Sequence, residues 1–566
     1  AVISIRKIGV IGRTYRNLNR YRQILTVFFK YGFGDLVEHL KIEQYIEIGL
    51  QMVSKKRRER VERFSRAERV RMALEELGPT YIKLGQILST RPDLVPADFV
   101  KELAKLQDKV PPYPFNEFNR ILEEHLGGPI DTYFTAIDET PLASASIGQV
   151  HRGLLTSGDE VAIKIQRPGI HRTVEVDLEI MLHLATLMER HIEEIALHRP
   201  VKIVEEFARL MSRELDYTIE AASMERVGAQ FLDNPRVYIP MVYRRLSADR
   251  VLVTEFVEGI KVSHLDRLAE AGLDPKVICD RGADILLAQV FEFGFFHADP
   301  HPGNIFVLPD NVICLIDFGI MGSVDRATRE DFVELVDAVV RRDEQRTTRV
   351  LLKLTLWEEE PDERRLSQDV ADFMGQHLYK PLEEIELSRL LHHLLDLVSR
   401  HQLRLPPEIF LMLKALTIVE GVARYLNPDF DMIAKAEPFV RNVKLARFSP
   451  RRLSSDLVGS ISQALDFAQD FPKDLLEITR SIRQKKLTVQ LEMKGLEKML
   501  ATHDQISNRI SFSIIIAALI IGSALIVISR TPPIFYGISL IGIIGFLAAA
   551  VMGVWLLIAI LKKGKL

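Results

Sequence analysis

The chain has 566 residues, of which 47% are hydrophobic and 27% charged, which is enough for several domains with hydrophobic cores. Its formal net charge of −3 excludes a nucleic-acid binder that relies on bulk positive charge, and its composition excludes a disordered acidic chain. The two cysteines, Cys279 and Cys314, exclude a disulfide framework and a cysteine-rich zinc site.

The amino-terminal part of the chain is predicted to be helical. Residues 1–64 combine basic and aromatic residues, including KKRRER at 55–60. This pattern is typical either of a helix that contacts a membrane surface or of an ordinary helix with a solvated face. Residues 65–140 continue as helices, with one helix ending at Gly78 and the next beginning at Pro79.

Strands are predicted from residue 141 onward. The segment PLASASIGQVHRG, a turn at SGDE and the segment VAIKIQ together predict a β-hairpin. The first segment matches the Gly-rich loop of protein kinases, with alanine in place of its first two glycines. We therefore predict that this loop lies over the phosphates of a nucleotide. The predicted binding residues of the loop are Leu142, Ala143, Ser144, Ala145, Ser146, Ile147, Gly148, Gln149 and Val150.

Lys164 of the VAIK segment stands where kinases place the lysine that binds the α- and β-phosphates. Such a lysine needs a carboxylate partner. One candidate is Glu179, on the first helix after the strand. The other is Glu214 in RELDYTIEA, which has Asp216 and Glu220 nearby. The residues alone leave this choice open.

The segment HADPHPGNIFVLPDNVICLIDFG, residues 297–319, carries the predicted catalytic chemistry. Asp299, Asn304 and Asp317 have the spacing of a kinase catalytic loop followed by its DFG segment. Asn304 and Asp317 offer the oxygen ligands that Mg²⁺ prefers. Asp299 is predicted to orient or deprotonate the attacking group. Upstream, EFVEGIKV is predicted to be the hinge between a lobe at 141–260 and a lobe at 261–440.

Two long apolar segments follow a predicted helical region at 441–509. Ile510–Ser529 has 20 residues without a charge and Thr531–Leu561 has 31, separated by Arg530 alone. A membrane-spanning helix needs about 20 apolar residues, so we predict two such helices within 510–566. The alternative is a buried hairpin in a soluble core, which a 31-residue apolar segment disfavours. Small residues in both segments would also allow a homodimer.

Several segments together are similar to the UbiB family of atypical kinase-like proteins. They are KLGQ at Lys83 to Gln86, PLASASIGQVHRG, VAIKIQRPG, ELDYTIEAA, HADPHPGN and LIDFG, within a match from about residue 75 to the carboxyl end. The resemblance implies that Glu214 is the partner of Lys164, with Glu220 also near the site. It also implies that Lys83 and Gln86 belong to a family-specific extension that lies across the nucleotide site.

The resemblance implies an α+β fold. This is a two-lobed, atypical protein-kinase-like fold with a helical amino-terminal extension that carries KxGQ and a carboxyl-terminal transmembrane hairpin. The expected cofactors are ATP and Mg²⁺. No long activation segment or A-P-E follows Gly319, which agrees with an acceptor other than a peptide.

The expected function is that of a membrane-anchored, Mg²⁺-dependent ATPase or phosphotransferase that supports biosynthesis of ubiquinone or a related prenyl quinone. The alternatives are a lipid or small-molecule kinase and a nucleotide-binding scaffold. The expected partners are membrane lipids, prenyl-quinone precursors and other quinone biosynthetic proteins, without nucleic acid. The expected location is the bacterial cytoplasmic (inner) membrane, with several membrane passes and the kinase-like domain in the cytoplasm.

Overall fold

The computed structural model describes ten stretches of the chain. They are residues 18–34, 63–89, 94–106, 111–192, 199–357, 360–377, 387–447, 496–529, 532–535 and 538–563. The chain divides into two compact units, 1–454 and 455–566. The helices predicted within 1–17 and 35–62, and most of the helical region predicted at 441–509, lie outside the described residues.

The first unit begins with helices. Helices α1 to α5 are Leu18–Lys30, Arg66–Leu77, Pro79–Leu88, Ala97–Leu103 and Phe115–Leu126. A capping box opens α2, because Ser65 accepts from the backbone N–H of Glu68 and the Glu68 carboxylate accepts from that of Ser65. The predicted break is confirmed: Gly78, with φ of 99°, ends α2, and Pro79 begins α3.

A five-stranded antiparallel sheet forms the predicted hairpin region. Its strands are β1 Phe134–Ile137, β2 Ala143–Ser144, β3 Gly148–Leu155, β4 Glu160–Gln166 and β6 Val251–Glu255, in the order β1-β3-β4-β6, with β2 paired to β3. On β4, Val161, Ile163 and Ile165 are buried in a core that includes Phe118 of α5. Since strand residues alternate between faces, Lys164 projects from the opposite face.

Three helices follow β4, and the spacing of apolar residues in the sequence predicts helix throughout residues 174–232. They are α6 Ile170–His191, α7 Pro200–Glu214 and α8 Tyr217–Gln230. The chain breaks between α7 and α8 because Asp216 caps α8, its side chain accepting from the backbone N–H of Thr218 at 3.0 Å. This break decides which acidic side chains reach the site.

A second sheet combines one strand from before the predicted hinge, one within it and two from after it, and a set of helices follows. Strands β5 Val237–Tyr238, β7 Ile260–Lys261, β9 Ile305–Leu308 and β10 Val312–Leu315 form a sheet in the order β5-β10-β9-β7, and β8 Phe295–His297 pairs with β11 Met321–Ser323. Helices α9 to α16 are Leu265–Glu270, Pro275–Ala288, Arg326–Val340, Glu344–Leu354, Glu363–His377, Leu387–Arg400, Pro407–Leu426 and Met432–Arg447.

An apolar cavity of 460 Å³ lies among helices α10, α11, α14, α15 and α16. Its lining includes Leu287, Phe332, Leu390, Leu413, Leu416 and Met432. Its volume falls within the range of about 300–1,000 Å³ that is usual for ligand pockets.

The second unit contains two helices joined by a short strand pair. Helix α17 is Leu496–Ile528, strands β12 and β13 are Ile534–Phe535 and Ile538–Ser539, and α18 is Leu540–Lys563. The two helices pack so closely that a Cβ on Gly542 would overlap Val527 and a Cβ on Gly545 would overlap Ser523. In the described residues, Arg509–Ile528 is the segment long and apolar enough to cross a bilayer, with a mean hydropathy of 2.7, and the apolar segment Leu540–Leu556 is shorter.

Candidate functional site

Lys164 lies in an acidic environment on the face of β4 opposite the core residues, where its side chain is largely buried. Its Nζ donates to both carboxylate oxygens of Glu220 at 2.8 Å and lies 3.9 Å from Oδ1 of Asp317. Although burial acts to lower it, the charges of Glu220 and Asp317 raise the pKa of Lys164 above its ordinary value. Lys164 is therefore held protonated beside the DFG segment, as a lysine that binds phosphate must be.

The expectation that Glu214 pairs with Lys164 is wrong. Glu214 forms an ion pair with Lys83 of α3, and the partner of Lys164 is Glu220. The reason is the break at Asp216, which the helical periodicity does not reveal. Glu214 is the last residue of α7 and Glu220 lies in the first turn of α8, so the two carboxylates project from different helices.

His297 fixes the catalytic loop against the DFG segment. Its Nε2 lies 2.7 Å from the carbonyl oxygen of Asp317, and the backbone N–H of Asp299 donates to its Nδ1 at 3.2 Å. The ring is therefore neutral, with its proton on Nε2, and burial lowers its pKa. His297 was not predicted to have a role, although its position two residues before Asp299 is a signal in the sequence.

A backbone hydrogen bond joins the segment that carries Asn304 to the segment that carries Asp317. The backbone N–H of Ile316 donates to the Asn304 carbonyl at 3.0 Å. The charge of Lys164 holds the pKa of Asp317 below its ordinary value despite opposing burial, so its side chain offers a carboxylate to the cleft. Among the described residues, no group of three or more His, Cys, Asp or Glu side chains could hold a metal. One carboxylate and one amide oxygen fit Mg²⁺ whose remaining ligands are phosphates and water.

The alanine-containing loop is a tight hairpin to which Arg167 forms hydrogen bonds. The backbone N–H of Ala145 donates to the Gly148 carbonyl at 2.8 Å. Arg167 donates from Nε to the Ala145 carbonyl at 2.9 Å and from Nη2 to the Ser144 hydroxyl at 2.8 Å. Arg167 therefore limits how far the loop can move toward a nucleotide. Arg167 was not predicted to contact the loop from its position in the sequence.

Two other residues of the loop have structural tasks. A Cβ at Gly148 would overlap the hydroxyl of Tyr217, whose ring also lies 5.1 Å from Lys164 Nζ. This close approach requires glycine at 148. Gln149 is buried and accepts from the backbone N–H of Tyr113 at 3.1 Å. Its side chain therefore makes a contact within the protein instead of with the predicted nucleotide.

Lys83 and Gln86, the two KxGQ residues, contact different parts of the chain. Lys83 is buried, pairs with Glu214, and its charge contributes to the lowered pKa of Asp317. The Gln86 side chain donates to the Leu106 carbonyl at 3.3 Å. The structure therefore brings Lys83 toward the site and bonds the Gln86 side chain to the end of the segment that follows α4.

Asp299 has a cationic partner that sequence spacing did not reveal. Its Oδ1 lies 3.4 Å from Nζ of Lys414, on helix α15. The two residues are 115 positions apart, and no motif in the sequence links them.

Comparisons with known proteins agree with this architecture. Residues 105–351 match the ABC1 atypical kinase-like domain, 370–431 the UbiB helical domain and 494–562 the ABC1/UbiB kinase-like C-terminal domain.

Among curated relatives, a probable protein kinase UbiB of Cellvibrio japonicus is 38% identical over 70% of this chain and 72% of its own length. The probable protein kinase UbiB of Histophilus somni is 32% identical over 94% of this chain and 99% of its own length. An uncharacterized protein in the hydrogenase 1 5' region of Clostridium pasteurianum is 32% identical over 97% of this chain and 99% of its own length.

A solved structure, the Rv3197–erythromycin complex from Mycobacterium tuberculosis, is 24% identical with a TM-score of 0.46. It covers 62% of this chain and 90% of the solved chain.

Proposed function

The chain belongs to the ABC1/UbiB family of atypical kinase-like proteins, and from this premise we propose that it is a Mg²⁺-dependent ATPase or small-molecule phosphotransferase anchored in a membrane. The observation that carries the proposal is the complete phosphoryl-transfer set. Lys164 is paired with Glu220 and faces Asp317, while His297 holds Asp299 against the same segment.

Each residue of this set has a defined task. Lys164 neutralises the α- and β-phosphates, and Asp317 and Asn304 would hold Mg²⁺, which neutralises charge that develops on the transferred group. Asp299 orients the attacking hydroxyl or water and accepts its proton. A scaffold that binds nucleotide without turnover needs no such base, which favours an enzyme.

The proposed cellular role is support of ubiquinone or related prenyl-quinone biosynthesis, through action on lipid-soluble precursors or their mobilisation. Two observations support an apolar substrate: the 460 Å³ cavity lined mainly by apolar side chains, and the apolar helices α17 and α18. We place these helices across the bacterial cytoplasmic membrane as a hairpin. Other quinone biosynthetic proteins are the proposed partners.

The test measures ATP hydrolysis by the purified full chain, with and without liposomes, beside transfer of labelled γ-phosphate to extracted lipid. Asp299→Asn should retain nucleotide binding and lose turnover, whereas Asp317→Asn should lose Mg²⁺-dependent nucleotide binding. Asparagine is the appropriate substitution at 317, because this residue has φ of 61° and asparagine tolerates that conformation better than other side chains. Turnover that survives in Asp299→Asn would overturn the catalytic assignment. If Asp299→Asn still supported quinone-dependent growth, the result would favour the alternative function of a nucleotide-binding scaffold.

A further inference from the structure

Lys414 links helix α15 to the catalytic loop through an ion pair. It lies on α15, and its Nζ is 3.4 Å from the carboxylate of Asp299. The Lys414 side chain is 30% exposed and that of Asp299 31%, so solvent reaches both partners of the ion pair. Asp299 is the proposed base, so any cation at this distance from it also lies close to the attacking group.

The catalytic loop contains no residue with a permanent positive charge. Residues 299–304 read DPHPGN, and the His301 Nδ1 accepts from the backbone N–H of Gly303 at 3.0 Å, which closes the turn. Among the described residues, two other lysines near the site are paired elsewhere, Lys164 with Glu220 and Lys83 with Glu214. Lys414 is therefore the cation that the described structure places beside Asp299.

A phosphoryl group in transfer carries charge on its peripheral oxygens, and preorganised cations stabilise that charge. We propose that Lys414 is a phosphate-binding residue of this site, which holds Asp299 before nucleotide binds and contacts the terminal phosphate of ATP in the complex. This inference rests on the nucleotide site proposed above.

In the proposed reaction, Lys414 takes no part in proton transfer. The attacking oxygen forms a bond to the γ-phosphorus, and the bond from that phosphorus to the β–γ bridging oxygen breaks. ADP leaves with the electron pair, and Asp299 takes the proton of the attacking group. The ammonium of Lys414 keeps its protons and offsets the charge of the transferred group.

The experiment compares Lys414→Met and Lys414→Arg with Lys435→Met in the full chain. Lys435 is a matched control because it lies on α16, is 25% exposed and forms an ordinary ion pair with Asp284 at 3.0 Å. For each protein, calorimetry gives the affinity for Mg²⁺-ADP and for a non-hydrolysable Mg²⁺-ATP analogue, and turnover is measured with ATP. Thermal melting checks that each variant is folded.

Lys414→Met should bind the ATP analogue about tenfold more weakly with little change for ADP, because hydrogen bonds to charged groups are strong and ADP lacks the contacted phosphate. Its kcat should fall roughly 10²-fold, the usual effect of removing one preorganised donor. Lys414→Arg should restore most of the analogue affinity, and Lys435→Met should match wild type.

A wild-type ratio of analogue to ADP affinity in Lys414→Met would overturn the inference. If Lys414→Met does not fold, the same ratio measured in Lys414→Gln decides. Failure of the wild-type chain to bind any Mg²⁺-nucleotide would instead overturn the proposed function, so the two failures are distinguishable.

Discussion

At the scale of single residues, two neighbouring glutamates have different partners. Glu220 receives both hydrogen bonds of Lys164, whereas Glu214 pairs with Lys83 of the KxGQ segment. Glu220→Gln should therefore leave Lys164 without its charge partner and weaken Mg²⁺-ATP binding at least tenfold, because removing one partner of a largely buried pair is costly. Glu214→Gln should leave Lys164 in place and change nucleotide binding less. Calorimetric titration of both variants is the measurement, and a larger loss in Glu214→Gln would contradict the assignment of Glu220.

The lowered pKa of His297 predicts a pH dependence. Because burial keeps this ring neutral in the folded protein, the unfolded chain takes up the proton first as the pH falls. The stabilisation that His297 contributes is therefore present above its unfolded pKa of about 6.5 and is lost as the pH falls below it. His297→Gln should be less stable than wild type at pH 8, and this difference should shrink toward pH 5.5. Thermal melts across that range check it, and a constant difference would show that His297 is not held neutral.

At the scale of elements, the loop from Ala143 to Gly148 is held by Arg167 and by its own turn. Ala145→Gly would release the φ restriction at the centre of the loop and allow its N–H groups to approach the phosphates. We expect tighter ATP binding or a changed ADP/ATP preference, with reduced function in cells. Titration of ATP and ADP into this variant and wild type is the test. Equal affinities, with a loss of about 1 kcal/mol of stability, would show that the alanines are purely structural.

The elements also show what the sequence could and could not reveal. The hairpin, the VAIK lysine and the loop from Asp299 to Asp317 are local patterns whose spacing follows directly from the strands that carry them. The break at Asp216 is one residue in a continuous helical pattern, and it places Glu220, instead of the expected Glu214, beside Lys164. The contact between Lys414 and Asp299 depends on how α15 packs, which no local pattern encodes.

Helix α15 relates two features of the first unit. Lys414 reaches Asp299, while Leu413, Leu416 and Thr417 line the apolar cavity. Residues three and four positions apart lie on one side of a helix, so Lys414 borders the face that carries Leu413, Leu416 and Thr417. An apolar molecule in the cavity would therefore contact the helix that carries the proposed phosphate-binding lysine.

At the scale of the whole molecule, the second unit is built as a helical hairpin. Phe512 and Trp555 pack edge to face with ring centroids 5.9 Å apart, and Gly542 and Gly545 allow close contact with α17. Outward-facing side chains on both helices include Ile514, Ile521, Leu547 and Val551. Such apolar residues on the outer faces are typical of helices that lie in lipid.

The topology of this hairpin can be tested with cysteine labelling in intact cells. Both native cysteines are buried, so they contribute little background. Ser507 and Ser529 lie 22 positions apart near the two ends of the apolar segment, which corresponds to about 33 Å of helix, the thickness of a bilayer core. Positive residues favour the cytoplasmic side, and Arg509 and Lys562–Lys563 flank the ends that we place there. Ser529→Cys should react with a membrane-impermeant maleimide in intact cells, whereas Ser507→Cys should react only after permeabilisation. Equal labelling of both variants in intact cells, or the reverse pattern, would contradict a hairpin with the kinase-like unit in the cytoplasm.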